Sequence, residues 1–112
     1  MIEATILAYL KSALDVPVYM EIPKNPEEKM VILEKTGSGR TNRISQATIA
    51  IQSYGKTLYD AASLNEIVKK AMDDIIQLDD IGGIRLNSDY NFTNTMTEKY
   101  RYQCVYVVTY VE

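Results

Sequence analysis

Residues Tyr100 to Glu112 read Tyr-Arg-Tyr-Gln-Cys-Val-Tyr-Val-Val-Thr-Tyr-Val-Glu, and this stretch constrains the fold more than any other. Nearly every residue in it favours an extended strand. Tyr100, Tyr102, Cys104, Tyr106, Val108 and Tyr110 share one face. Arg101, Gln103, Val105, Val107, Thr109 and Val111 share the other. A strand wetted on one side alternates between apolar and polar residues. This one alternates only at its start, and from Val105 onward both faces are apolar. Both faces are therefore expected to be covered. A chain of 112 residues has few helices to do it, so a second protein chain is expected to supply part of the cover. That expectation favours an assembly protein over an enzyme.

The length fits one domain, 1–112, with a real hydrophobic core. A net charge of -3 does not mark the surface as a nucleic-acid binder, and no sequence-specific nucleic-acid partner is expected. The single cysteine, Cys104, excludes a disulfide framework within one chain and suits a reducing compartment. No apolar run approaches the roughly 20 residues that span a bilayer, so no membrane partner is expected. The N-terminus shows no basic start followed by an apolar stretch, so no secretory signal is expected.

There is no histidine, which removes the commonest general base and the commonest metal ligand. Ser-His-Asp and Cys-His arrangements are excluded, as are zinc sites of the usual kinds within one chain. The expectation is a protein without enzymatic activity, intrinsic metal or cofactor.

Ile2 to Leu14 carries apolar residues at helical spacing and reads as a short helix stopped by Asp15 and Pro17. Val18 to Ile22 reads as a short strand and Pro23 to Lys29 as a polar turn. Met30 to Lys35 is a second strand. Thr36 to Asn42 contains Gly-Ser-Gly and no hydrophobic period, so it reads as a loop. Ile44 to Tyr54 is a third strand, with Ala47, Ile49 and Ile51 inward and Gln46, Thr48 and Gln52 toward a wet face. The second and third strands form a hairpin whose tip, 35–43, is expected to be a mobile arm.

Thr57 to Leu78 is the main helix, with a broad apolar stripe from Leu64 to Leu78. Thr57 with Asp60, and Ser63 with Glu66, are two candidate capping boxes at its start. Ile84 to Phe92 and Tyr100 to Val111 are closing strands around a polar turn, Asn91 to Glu98. The class is α+β, an antiparallel or mixed sheet with one long and one short helix packed on it, in the order α-β-β-β-α-β-β. Val68, Ala71, Met72 and Ile75 are expected to pack on Ile49, Ile51, Val105 and Val107.

Candidate binding residues fall into three groups. Lys35, Arg40 and Arg43 bracket the glycine-rich tip. Gly37-Ser38-Gly39-Arg40-Thr41 lacks the spacing and the Gly-Lys-Ser/Thr end of a phosphate-binding loop. The tip therefore reads either as a solvated turn or as an arm that orders against a partner. Asp73 and Asp74, with Asp79 and Asp80, crowd the end of the main helix, where the helix dipole disfavours carboxylates. Their spacing matches no calcium loop. A hard-cation site, a solvated helix end and a surface of useful negative potential remain the readings, the solvated end being the plainest. Tyr102, Tyr106 and Tyr110 could stack on single-stranded nucleic acid. Core packing or a protein interface suits them better, since few cations lie nearby. Asn91-Phe92-Thr93 fits the glycosylation pattern and, without a secretory signal, marks only a turn.

The whole pattern resembles the small tail-completion, or tail terminator, proteins of long-tailed bacteriophages and prophages. The short helix, the strand after Val16-Pro17-Val18-Tyr19, and the hairpin with a long polar tip carry the resemblance. So do Ala47-Thr48-Ile49-Ala50-Ile51-Gln52-Ser53-Tyr54 running into the helix from Thr57, and the Tyr100-Arg101-Tyr102-Gln103 strand. It covers nearly the whole chain and rests on order and pattern, without a diagnostic motif. The resemblance implies a ring, typically of six subunits, that caps the tail tube and joins it to the head connector. It implies self-association, a tail-tube partner and a connector partner, with assembly in a bacterial cytoplasm and residence at the head–tail junction of the virion. The family offers no catalytic residues to carry over. Other head-tail joining or minor capsid proteins share this size. The residues alone also fit a generic α+β binding module, or a weak hydrolase or nuclease using the aspartates.

Overall fold

The computed structural model describes residues 1–111; Glu112, the last residue of the terminal stretch, lies outside them. The elements are α1 (Ile2–Ala13), β1 (Val18–Tyr19), β2 (Met30–Thr41), β3 (Ile44–Gly55), α2 (Leu58–Asp73), a 3-10 turn (Ile75–Gln77), β4 (Ile81–Asn91) and β5 (Tyr100–Tyr110). The order is α-β-β-β-α-β-β, as expected. Five strands form one sheet in the order β1-β2-β3-β5-β4. β1 runs parallel to β2 and the other neighbours are antiparallel, so the sheet is mixed.

Both helices lie on one face of the sheet. α1 ends where Leu14 turns extended just before Val16-Pro17, and it covers β1 and β2. α2 starts at Thr57, whose Oγ1 accepts the Asp60 N–H at 3.1 Å, so the first of the two candidate caps is the one used. Its apolar stripe, Ala61, Leu64, Val68 and Met72, packs over β3 and β5. Regular helix ends at Asp73, and the expected continuation to Leu78 tightens into the 3-10 turn, which still buries Ile75. β-branched Ile75 and Ile76 after two aspartates weaken a further α-turn.

The core sits between this face and the helices, around Ile6, Leu10, Val31, Leu33, Ile49, Ile51, Leu64, Val68 and Met72. β5 contributes Cys104, Tyr106, Val108 and Tyr110. Val105 and Val107, expected against α2, lie instead on the opposite face and are half-buried. Period alone could not rank two apolar faces; the face that meets the helices wins because α2 is the larger apolar surface. The opposite face is covered only at one end, where Met30, Ile32 and Tyr54 form a second cluster with Tyr19. Among the described residues no helix covers the rest.

The expected loop 36–42 is strand. β2 runs unbroken to Thr41 except for a bulge at Thr36, and β3 begins at Ile44. Asn42 and Arg43 alone make the turn, with φ of 52° and 68°. Two successive left-handed residues give the turn whose twist matches a two-residue hairpin. Alternation is absent from residues 36–41 because both of their faces are exposed, so the pairing to β3 decides their conformation. The tip lies beyond Ser45, the last residue of β3 opposite β5. The molecule measures 44 × 25 × 25 Å.

Candidate functional site

The residues expected to meet partners are divided by the fold between the two lateral margins of the sheet. Lys35, Arg40 and Arg43 lie on the β2 side. Arg40 and Arg43 are exposed and form no ion pair among the described residues. Lys35 is engaged: its Nζ lies 3.4 Å from Glu3 of α1, whose side chain is only 13% exposed. The basic charge available to a partner is therefore that of the two arginines.

Asp73 closes α2 and Asp74 caps it, both exposed on the other side of the molecule. Among the described residues no three Asp, Glu, Cys or His side chains converge as a metal would require. The aspartates are spread along a helix end. Asp73 joins Glu66, Lys69, Lys70, Leu86 and Tyr106 around a shallow surface beside β4.

The tyrosines do not form one platform. Tyr102 is half-buried. Tyr106 and Tyr110, expected to contact a partner, are 2% and 6% exposed within the single chain and belong to its own core. Both turn toward the helix-bearing face, Tyr106 beside α2 and Tyr110 beside the start of α1, because the even-numbered face of β5 points inward. Burial also raises the Tyr106 hydroxyl's pKa above its ordinary value.

Cys104 shares that inward face, and its thiol meets the Ile51 carbonyl oxygen at 3.8 Å. Burial, with Asp89 nearby, pushes the thiol pKa up to about 12. The thiolate is the reacting form, so the native protein at pH 8 should resist aromatic disulfide reagents and label at its unfolding rate. Stoichiometric labelling of native protein within seconds would show that β5 is not packed in this way.

Two polar constellations escaped the sequence reading. The first ties α2 to β4. Asn65, 1% exposed, donates to Asp89 Oδ1 at 2.7 Å. Lys69 reaches Asp89 Oδ2 at 2.5 Å and Glu66 at 2.8 Å. Those two hydrogen bonds, to Asp89 first, raise the Lys69 pKa. Asn65 sits within the apolar stripe, a signal visible in the sequence; its partner 24 residues away was not.

The second crosses the open face. Gln52 donates to Gln103 at 2.9 Å, and Gln103 in turn donates to the Tyr90 hydroxyl. Gln52 is buried by this ladder, against the expectation of a wet position. Next to it, Arg101 donates to the Tyr54 hydroxyl at 2.9 Å and to the Phe92 carbonyl at 2.7 Å, with its guanidinium 4.3 Å from the Phe92 ring centre. These groups hydrogen-bond one another and so fasten β3, β5 and β4 together.

What the arrangement offers is binding surface: a basic hairpin tip at one margin, a surface of mixed charge with Leu86 and Tyr106 at the other, and between them a sheet face that carries no helix among the described residues. Compared with known proteins, the chain matches no family model, and no curated protein matches it significantly.

Proposed function

We propose that the protein is a structural component of a long-tailed bacteriophage or prophage, a tail-completion or tail terminator protein. Its copies form a ring, six in the arrangement the resemblance implies. The ring caps the tail tube and joins it to the head connector. It assembles in the bacterial cytoplasm, resides at the head–tail junction and works by binding, without a cofactor. The observation that carries this reading is the element order α-β-β-β-α-β-β, with a long β2–β3 hairpin that ends in unpaired arginines. Support comes also from charge placement, since a closed ring joins two different patches head to tail. Here Arg40 and Arg43 lie at one margin, and at the other Asp73 is exposed beside Glu66, Lys69 and Lys70.

Exposed pairs of this kind contribute only about 0–1 kcal/mol each, and they act mainly on orientation and association rate. The variant carrying Arg40→Glu and Arg43→Glu should therefore melt within about 0.5 kcal/mol of the parent as a monomer. It should fail to form rings by native mass spectrometry, or to join heads to tails in electron micrographs. Normal assembly of that variant at both low and physiological salt would reduce the hairpin end to a plain solvated turn. A parent chain that stays monomeric at high concentration and ignores isolated tail tubes would remove the ring reading itself.

A further inference from the structure

The sheet has two free edges, and their backbone groups are spaced alike. Val31 donates its N–H to Pro17 at 2.9 Å, so its backbone faces away from β3. In an antiparallel ladder every second residue does the same. On β2 these are Leu33 and Lys35, then, after the bulge at Thr36 resets the phase, Ser38 and Arg40. β1 pairs only with Val31 and Ile32, so among the described residues nothing pairs with the outer edge beyond them. On β4, Phe92 donates inward to Arg101 at 2.8 Å. Asn91 and Asp89 therefore face outward, followed by Leu86 and Ile84 beyond the bulge at Asn87.

Bulges ordinarily protect an edge by spoiling its spacing. Here the two bulges cancel. Reading up β2, the outward residues are 35, 38 and 40; reading down β4, they are 89, 86 and 84. Both steps are three, then two. β2 and β4 also run in opposite directions, since β3 and β5 stand between them in an alternating sheet. A second copy set beside the first in the same orientation brings its β4 antiparallel to β2.

We propose that copies of this chain join by strand addition, the β4 edge of one copy pairing with the free β2 edge of the next. This rests on the ring reading and names its interface. In the matching register Lys35 faces Asp89, Ser38 faces Leu86 and Arg40 faces Ile84. Within each copy Lys35 is already held by Glu3 and Asp89 by Asn65 and Lys69, so this first pair brings no free charge to the contact. At the last, Arg40 lies beside a surface of mixed charge, where Glu66 and Asp73 stand among Lys69 and Lys70. Backbone hydrogen bonds supply the contact, and the side chains fix the register. Because one edge differs from the other, the contact is head to tail and can close on itself.

The register can be tested by a disulfide. It sets Gly39 opposite Arg85 in a pair that does not share hydrogen bonds, with Cα atoms about 4.5 Å apart, within reach of a disulfide. A side chain at Gly39 meets nothing within 4 Å, and Arg85 is exposed, so both sites accept cysteine. Within one chain β2 and β4 are three strand spacings apart, about 14 Å, too far to bridge. The chain carrying Gly39→Cys and Arg85→Cys, oxidised at assembly concentration, should run as a ladder of covalent multimers without reductant. The shifted pair, Gly37→Cys with Arg85→Cys, should not. Ser38→Cys with Leu86→Cys tests the same register from the helix-bearing face. Native mass spectrometry and electron microscopy of the parent separate the two readings. Rings without a ladder from either pair overturn strand addition and leave the ring standing. Ladders without closed rings keep strand addition and overturn the ring. Gly39→Cys alone giving as much dimer as the pair means that two β2 edges meet, which overturns the proposal. A parent monomeric at every concentration and on tail tubes overturns both readings.

Discussion

Replacing Gly55 with alanine is expected to cost about 3 kcal/mol, the upper range for forcing atoms into a packed site. For a domain of this size that lowers the melting temperature by about 10–15 °C. Gly55 closes β3, two residues before the cap of α2. A Cβ there would strike the Ala61 backbone nitrogen and would lie 2.8 Å from both the Asp60 carbonyl carbon and its Cβ. These are backbone and first-turn atoms, which cannot swing aside. The Ala61 N–H also donates to Thr57 at 3.0 Å, so a shift of the helix start disturbs its first turn. Gly37 and Gly39 are the internal control. A Cβ at either meets nothing, and neither has a positive φ. Alanine at those sites should change stability by less than about 1 kcal/mol, in the stabilising direction through the unfolded chain. Thermal melts of the three variants decide it. A Gly55→Ala protein that melts with the parent would mean that α2 does not start against the end of β3.

The second large effect is expected at Ile49. Its side chain is fully buried in the main core, on the β3 row between Ala47 and Ile51. Ile49→Ala should cost about 2–5 kcal/mol, by lost burial and the cavity left behind. Set against a typical total of about 5–15 kcal/mol, that is enough to leave the protein marginal. Val107→Ala removes atoms from the open face, where the side chain is only half-buried. It should cost under about 1 kcal/mol in the monomer. Denaturant titration of the pair reads the sidedness of the sheet directly. Equal losses would place the helices over Val107, which the β5 register does not allow.

Much of the fold was legible because burial imposes periods. Ala47, Ile49 and Ile51 alternate, and Leu64, Val68 and Met72 recur at helical spacing; both sets are in the core. The sequence misled where burial imposes nothing or where both options are apolar. Residues 36–41 are exposed on both faces, so no pattern marks them as strand. The signal there is the turn, and it is muted because Arg43 stands where glycine commonly takes the second left-handed position. On β5, valines and tyrosines are both strand formers with apolar area. Only the tertiary position of α2 decides that Tyr106 and Val108 point in and Val107 out. For the candidate surface, the exposure of Arg40 and Arg43 followed from their polar surroundings. The capture of Lys35 by Glu3, and of Asp89 by Asn65 and Lys69, joins residues far apart in the chain. Such pairs leave no local trace in one sequence.

The extended hairpin also governs how the free protein diffuses. A body of 44 × 25 × 25 Å is close to a prolate rod of axial ratio about two. Its friction exceeds that of a sphere of equal mass, so gel filtration calibrated on globular standards will overstate the mass of the monomer. An early elution peak can then pass for a small oligomer. Rotational diffusion is anisotropic as well, so amide relaxation rates will vary with the angle between each N–H and the long axis. In-sheet N–H vectors lie across the strands and form one orientational class. The α2 amides lie along the helix axis and form another.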